Sequence, residues 1–205
     1  MASGDRPTDA ARRLADTAAQ AGHCRECPIG LLGTRTVWGE GPVGAPLMLV
    51  GEQPGDREDE QGRPFVGPAG QLLDRALAQL QWPRERLYVT NAVKHFNFEW
   101  RGKRRLHKTP AQREALACRH WLDSEIALVR PQALVALGAT AARSLLQQAV
   151  AVTRERGHWL ARPGDALPVL VTLHPSALLR LRGEDRDLAF AAWLADLRHA
   201  SRYIA

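Results

Sequence analysis

The segment Gly51-Glu52-Gln53-Pro54-Gly55-Asp56 sets two carboxylates and an amide among glycines. Glycine lets backbone come close to a ligand. Carboxylates at such a turn orient water or stabilise developing positive charge, although the same spacing also describes a solvated acidic turn. His174-Pro175-Ser176 offers an imidazole. When neutral it donates one hydrogen bond to a developing anion; otherwise it caps the helix that follows. Asn91 carries a donor and an acceptor, the pair that reads a base edge or an amide, and it suits an ordinary turn equally well. Cys24-x-x-Cys27 and the distant Cys118 supply three thiols. With a fourth ligand from His95, His23 or His120, a Cys3His set suits zinc or an iron–sulfur cluster with one histidine ligand. Without one, the cysteines are buried or indifferent thiols.

Charge placement adds a fourth feature. The chain holds 28 Lys and Arg against 22 Asp and Glu, a net charge of +6. Trp100–Lys108 (WRGKRRLHK) contains Arg101, Lys103, Arg104, Arg105 and Lys108 and no acid, and outside it the balance is 23 to 22. Five like charges in nine residues repel one another unless a polyanion lies nearby. Residues 100–108 therefore read as a phosphate-binding loop, with a solvated loop or targeting patch as the plainer alternative.

Elements able to position these residues follow from the apolar pattern. A length of 205 residues, 45% hydrophobic and 24% charged, fits one globular domain spanning 1–205. Those fractions exclude a disordered, collagen-like or disulfide-scaffold chain. Apolar runs such as Ala166–Leu173 fall far short of the roughly 18 residues a membrane span needs. No apolar stretch of a secretory signal stands at the N-terminus, and three cysteines match a reducing cytoplasm.

Residues 1–22 carry an N-terminal helix, capped by Thr8 and ended by Gly22. Strands are expected at Pro46–Gly51, Leu87–Val93, Ala133–Leu137 and Pro168–Leu173. Between them lie a long loop over 52–68 and helices over 71–80, from Thr109 to Val129, and over 139–149. Thr109, Pro110 and Gln112 read as cap, first position and capping box of the second of these helices. A final helix over 185–201 has Leu188, Ala191, Ala192, Ala195 and Arg198 in register. Near-continuous apolar strands alternating with helices predict an α/β fold, a three-layer αβα sandwich around a mainly parallel four-stranded sheet. Ligands in such folds bind beyond the carboxyl ends of the strands, which selects Glu52–Asp59, Asn91, Gly138 and His174–Ser176.

Taken together, Gly51–Gly55 (GEQPG), Arg63–Gly70 (RPFVGPAG), Thr90–His95 (TNAVKH), Lys103–His107 (KRRLH) and His174–Ser176 (HPS), in this order over roughly residues 20–200, resemble the uracil-DNA glycosylase superfamily. The resemblance is closest to its iron–sulfur branch and the UdgX-like subgroup, whose members become covalently joined to the abasic site they create. It implies a DNA-repair enzyme that flips uracil out of DNA and excises it. By this resemblance Phe65 stacks on the base and Asn91 reads its O4/N3 edge. Gly55 and Asp59 bound a close wall against thymine, and His174 stabilises charge at O2. Glu52, Gln53 and Asp56 line the sugar side. Lys103, Arg104, Arg105 and Ser176 hold DNA.

His107 would attack the sugar and remain attached to it. Cys24, Cys27 and Cys118 fall where the branch places cluster ligands, and His95 stands where it usually has a third cysteine. A structural 4Fe–4S cluster on Cys24, Cys27, His95 and Cys118 is therefore implied. Leu106 replaces the subgroup's usual isoleucine, a nearly volume-neutral change. The expected setting is a cytoplasmic, nucleoid-associated monomer acting preferentially on single-stranded uracil-containing DNA, with no membrane. The alternatives are a conventional multi-turnover uracil-DNA glycosylase, a non-catalytic nucleic-acid-binding module, and a zinc hydrolase of a small substrate.

Overall fold

The computed structural model describes residues 8–204. The expected segment 1–22 is seen from residue 8 onward, and its first seven residues lie outside the described part. Five strands form the main sheet: β1 (Leu47–Gly51), β2 (Tyr88–Asn91), β5 (Ala133–Leu137), β6 (Trp159–Ala161) and β7 (Pro168–Thr172), in the order β2-β1-β5-β7-β6. The first four in that order are mutually parallel, and β6 runs antiparallel to β7 at the edge. The mainly parallel sandwich is thus correct. Its strand count is five rather than four, because the three-residue edge strand β6 is half-buried and lacks the apolar run that marks the others.

Successive residues of β1 explain why the central strands are apolar throughout. Leu47 and Leu49 enter one core with Leu73, Leu77, Phe190, Trp193 and Leu197, whereas Met48 and Val50 enter the opposite core with Leu122, Ile126, Ala141 and Leu145. Helices α3 (Pro68–Leu80) and α8 (Gly183–Arg198) cover the first face, and α4 (Gln112–Val129) and α5 (Ala139–Leu146) the second. Each leucine removed fully from water on these faces contributes about 1.5–3 kcal/mol. The N-terminal helix α1 (Asp9–Ala21) packs on α4, with the Thr8 hydroxyl accepting from the amide of Ala11 at 3.2 Å.

Several local expectations are corrected. Residues 52–68 contain the helix α2 (Asp56–Gln61) rather than an uninterrupted loop. The basic segment is not a loop but most of an antiparallel hairpin, β3 (Phe98–Arg101) and β4 (Arg104–His107). Helix α4 is capped at Ala111, whose amide donates to Glu114 Oε2 at 2.6 Å. A charged carboxylate accepts this bond more strongly than the Gln112 amide would, so neither Thr109 nor Gln112 forms the cap. On α8 the buried stripe is Phe190, Trp193, Leu194 and Leu197, while Leu188 stands 63% exposed. The larger side chains take the core. Two four-residue helices, α6 (Val152–Glu155) and α7 (Pro175–Leu178), complete the chain order.

Between β1 and β5 the strand order reverses direction, since β1 leads outward to β2 and the chain then returns to the other side of β1. Sheets of this kind hold ligands at such a switch point, beyond the carboxyl ends of the strands.

Candidate active site

A cavity of about 680 Å³ opens there, bounded by Glu52 after β1, Asn91 ending β2, Gly138 after β5 and His174 after β7, with Phe65 and His107 on its walls. Its floor depends on the absence of a side chain at Gly51. A Cβ there would lie 2.4 Å from Asn91 Oδ1 and 2.5 Å from Phe65 Cζ, so only glycine admits both groups at this strand end. Phe65 sits in the left-handed region at φ +54°, which a bulky residue rarely adopts. Its carbonyl fits against Gly70 of α3, where a Cβ would come within 1.9 Å. The buried Glu58 holds this bend. Its Oε1 accepts from the amides of Val66 and Gly67 at 2.9 and 2.7 Å, and its Oε2 from that of Gly55 at 3.1 Å. Glu58 is a residue the sequence reading missed. Its signal is the acid three residues beyond Gly55, in a capping-box position.

Asn91 is 2% exposed, and its Oδ1 has no hydrogen-bond partner. A buried acceptor left open is costly unless a ligand completes it. The backbone beneath is firmly held, because Lys94 Nζ donates to Asn91 O at 2.7 Å, to Thr90 Oγ1 at 2.8 Å and to Glu125 Oε2 at 2.5 Å. Glu125 also accepts from Gly39 N at 2.8 Å and from the Tyr88 hydroxyl at 3.1 Å. All three ammonium protons and both carboxylate oxygens are therefore engaged in a completely buried pair.

His174 takes the capping role expected of it. As cap of α7 its Nδ1 accepts from the amide of Ser176 at 3.2 Å, with Ser176 Oγ a further 2.7 Å contact. A backbone N–H can only donate, so Nδ1 is unprotonated and Nε2 carries the proton of the neutral ring. Burial pushes the His174 pKa down to about 4, against a smaller opposing pull from Glu52. Its ring centroid lies 6.0 Å from that of Phe65. The carbonyl of the preceding Leu173 is anchored by the indole N–H of Trp193 at 3.0 Å.

Glu52 stands opposite. Burial would raise its pKa, but contacts with His107 and Thr140 outweigh burial and hold it below the usual carboxylate range. Thr140 Oγ1 donates to Glu52 Oε2 at 2.6 Å, and His107 Nε2 lies 3.2 Å from Oε1. Thr140 was also missed. Its place in the first turn of α5, just after the β5 end, is the available signal.

His107 reaches the cavity because its hairpin is clamped at the root. Gln53 Nε2 donates to the carbonyls of Asn97 and Lys108 at 3.1 and 3.2 Å, and Gln53 Oε1 accepts from Asn97 N at 3.1 Å. The Gln53 amide thereby joins both ends of the hairpin to the end of β1, while Gln53 also lines the cavity. Arg105 makes a second tether, to Asp56 Oδ1 at 2.6 Å and Asp59 Oδ2 at 2.5 Å, with its guanidinium over Phe96 and Phe98. The structure therefore assigns Arg105 to α2 rather than to open solvent. Asp59 also accepts from Arg35 N at 2.6 Å and does not line the cavity, whereas Gly55, Asp56 and Ser176 do. Lys103 and Arg104 are exposed at the outer end of the hairpin.

The cysteines gather elsewhere. Cys118 packs with Ile29, Val93 and Ala115, and Cys27 and Trp121 pack against that group. Burial pushes the Cys118 thiol up to about 12, with Cys27 and Cys24 near enough to raise it further. Lys94 N donates to Cys118 Sγ at 3.3 Å, which brings the adjoining His95 to the same region. Thr36 Oγ1 donates to Ala21 O at 2.9 Å and stands 2.9 Å from His95 Nε2. The single hydroxyl proton is spent on Ala21, so His95 Nε2 donates and Nδ1 keeps the lone pair of a metal ligand. The indole N–H of Trp121 is buried without a partner beside the thiols. Three thiols, an oriented imidazole and a donor awaiting an acceptor fit an iron–sulfur group. Among the described residues, no three His, Cys, Asp or Glu side chains are close enough to hold a single metal ion. His120 instead pairs with Glu26 at 2.8 Å, and His23 is exposed. Among the described residues, no helix is long and apolar enough to cross a membrane.

Comparison with known proteins agrees with this architecture. A type-4 uracil-DNA glycosylase of Thermotoga maritima is 39% identical over 166 residues, covering 79% of this chain and 81% of the relative. A type-4 enzyme of Pyrobaculum aerophilum is 36% identical over 177 residues, 82% and 87% of the respective chains. A type-5 uracil-DNA glycosylase of the same organism is 31% identical over 156 residues, 69% and 65% of the two chains. Residues 38–198 match the uracil DNA glycosylase superfamily as a whole. The chain belongs to the uracil-DNA glycosylase superfamily.

Proposed function

We propose that this protein excises uracil from DNA and then stays joined through His107 to the deoxyribose it has exposed. The observation that carries the reading is the His107 imidazole on the cavity wall, 3.2 Å from Glu52 and across from Asn91 and His174. The flipped base stacks on Phe65. Its N3–H donates to the open Asn91 Oδ1, and its O4 accepts from the Asn91 amide; cytosine presents the opposite polarity there. As the bond from C1′ to N1 breaks, the electron pair leaves with uracil, and the His174 Nε2–H donates to O2.

In a conventional glycosylase water would take the sugar. Here a ring nitrogen of His107 forms the new bond to C1′. The one N–H proton left on the resulting N-substituted imidazolium passes to Glu52, 3.2 Å from His107 Nε2, and the uracil anion takes up a proton from solvent. Ser176, Lys103 and Arg104 bind the strand, single-stranded DNA by preference because no partner base must be displaced, and the protein works as a monomer. Asp56 serves this reading mainly through Arg105, and Gln53 by holding the hairpin.

Cys24, Cys27, Cys118 and His95 would hold a 4Fe–4S cluster that cross-links the N-terminal segment to α4 and to the segment between β2 and the hairpin. Such a group supplies rigidity and takes no part in bond breaking. Cys118→Ala should lose iron and soluble yield together.

Counting the uracil set free per protein molecule tests the reading. With excess uracil-containing single-stranded DNA, release should stop at one uracil per protein. Continued release identifies a conventional glycosylase, binding without release a non-catalytic module, and zinc in place of iron a different metal centre.

A further inference from the structure

The outer half of the hairpin carries a feature that His107 chemistry does not use. Trp100 is 66% exposed, among the largest side chains on the surface to be so open. It pairs across the ladder with Arg105, two pairs beyond Phe98–His107. Side chains two residues apart on a strand share a face, so Trp100 stands on the same face as Phe98 and His107, farther out by about 7 Å. The Phe98 ring meets the indole edge-to-face at 5.5 Å and 89°, which fixes the orientation of the indole.

Arg101, Lys103 and Arg104 follow it around the tip of the hairpin, Arg101 and Arg104 as the next pair on the opposite face and Lys103 in the turn, all exposed and, among the described residues, without an acidic partner. An aromatic plate beside free cations is an arrangement that binds single-stranded nucleic acid, with cations on phosphates and the ring under a base. Arg105 cannot fill that role, because Asp56 and Asp59 hold it.

We propose that Trp100 is a second nucleobase subsite, a stacking platform for the unpaired base next to the uracil in the strand. The phosphates there would lie on Lys103 and Arg104. The site takes any base, because every base has a π-face, and it serves to hold the flanking nucleotide while the uracil turns inward. This inference rests on the DNA reading above.

The test is the dissociation constant for single-stranded oligonucleotides bearing 2′-fluoro-2′-deoxyuridine, whose glycosidic bond resists cleavage. In one pair of oligonucleotides the 5′ or the 3′ neighbour is replaced by an abasic tetrahydrofuran. One replacement should weaken binding to the wild-type protein by about tenfold, in line with the worth of one base–aromatic stack. Trp100→Ala should weaken binding to the intact oligonucleotide by the same factor and then be insensitive to the replacement. Trp100→Phe should recover most of the loss. Wild-type binding that ignores both replacements would overturn the subsite, as would a Trp100→Ala protein that still responds to them. Release of uracil from ordinary uracil-containing DNA by the wild-type protein, run in parallel, reports the glycosylase reading separately. Its absence would remove that reading rather than the subsite alone.

Discussion

His174 and His107 face the same carboxylate, Glu52, from opposite kinds of support. His174 belongs to the floor made by the strand ends. It is half-buried, its tautomer is fixed by the Ser176 amide, and the carbonyl before it is tied to Trp193. His107 belongs to a two-stranded strap, and its side chain is 44% exposed. It holds its place through Gln53 and Arg105 rather than through a core of its own. Two-stranded ribbons are marginal alone, so the tethers decide where His107 points. The difference separates two tasks. A hydrogen-bond donor to a leaving base gains from rigidity and low dielectric, whereas a nucleophile must let DNA enter before it reaches the sugar.

Removing the floor donor is the largest expected break in this comparison. His174→Ala should slow uracil release by roughly 100- to 1000-fold, the usual cost of losing one donor to a developing anion. Single-turnover release at saturating DNA measures it, and a loss below tenfold would deny His174 that role. The strap should respond differently. Gln53→Ala leaves the Asn97 amide and the Lys108 carbonyl without partners, the Asn97 carbonyl keeping the Lys108 amide at 3.0 Å, at about 1–3 kcal/mol for a buried group. Amide exchange at Asn97 should quicken, and covalent capture should slow by about tenfold while uracil release falls less. Equal losses in both steps would erase the distinction between floor and strap.

A separate effect is on stability against pH. An unfolded histidine titrates near 6.5, but buried His174 does not take up a proton until about pH 4. Between these values the unfolded chain binds the proton first, so His174 destabilises the fold as pH falls through that window, by about 1.4 kcal/mol per unit. Relative to His174→Asn, the wild-type protein should lose unfolding free energy between pH 6.5 and pH 4.5. Parallel urea-unfolding curves across the range would contradict the buried neutral ring.

What the sequence made legible follows the same division. The strands β1, β5 and β7 are readable because both their faces are covered, which leaves no polar residue to interrupt them, and the floor residues could be placed from strand ends alone. Helix α2 was hidden because GDREDEQG shows no apolar stripe. Its start is organised by Glu58, which reaches back to Gly55 and forward to Val66 and Gly67. The hairpin was hidden because like charges mask the alternation of Phe98, Trp100, Arg105 and His107. Its pairing depends on Gln53, 44 residues before Asn97. Arg105 could not be told from Lys103 and Arg104 by composition, since only the fold brings Asp56 and Asp59 to it. The same holds for Thr140 on Glu52, 88 residues away.

The central claim is that an imidazole on the strap takes the place of water at the sugar. The protein and its His107→Gly variant would be incubated with labelled single-stranded DNA containing one uracil, then boiled in SDS and run on a denaturing gel. A slower band of protein joined to DNA should appear for the wild-type chain and vanish for the variant. Its absence from the wild-type lane, with free uracil released in excess of protein, would contradict the account.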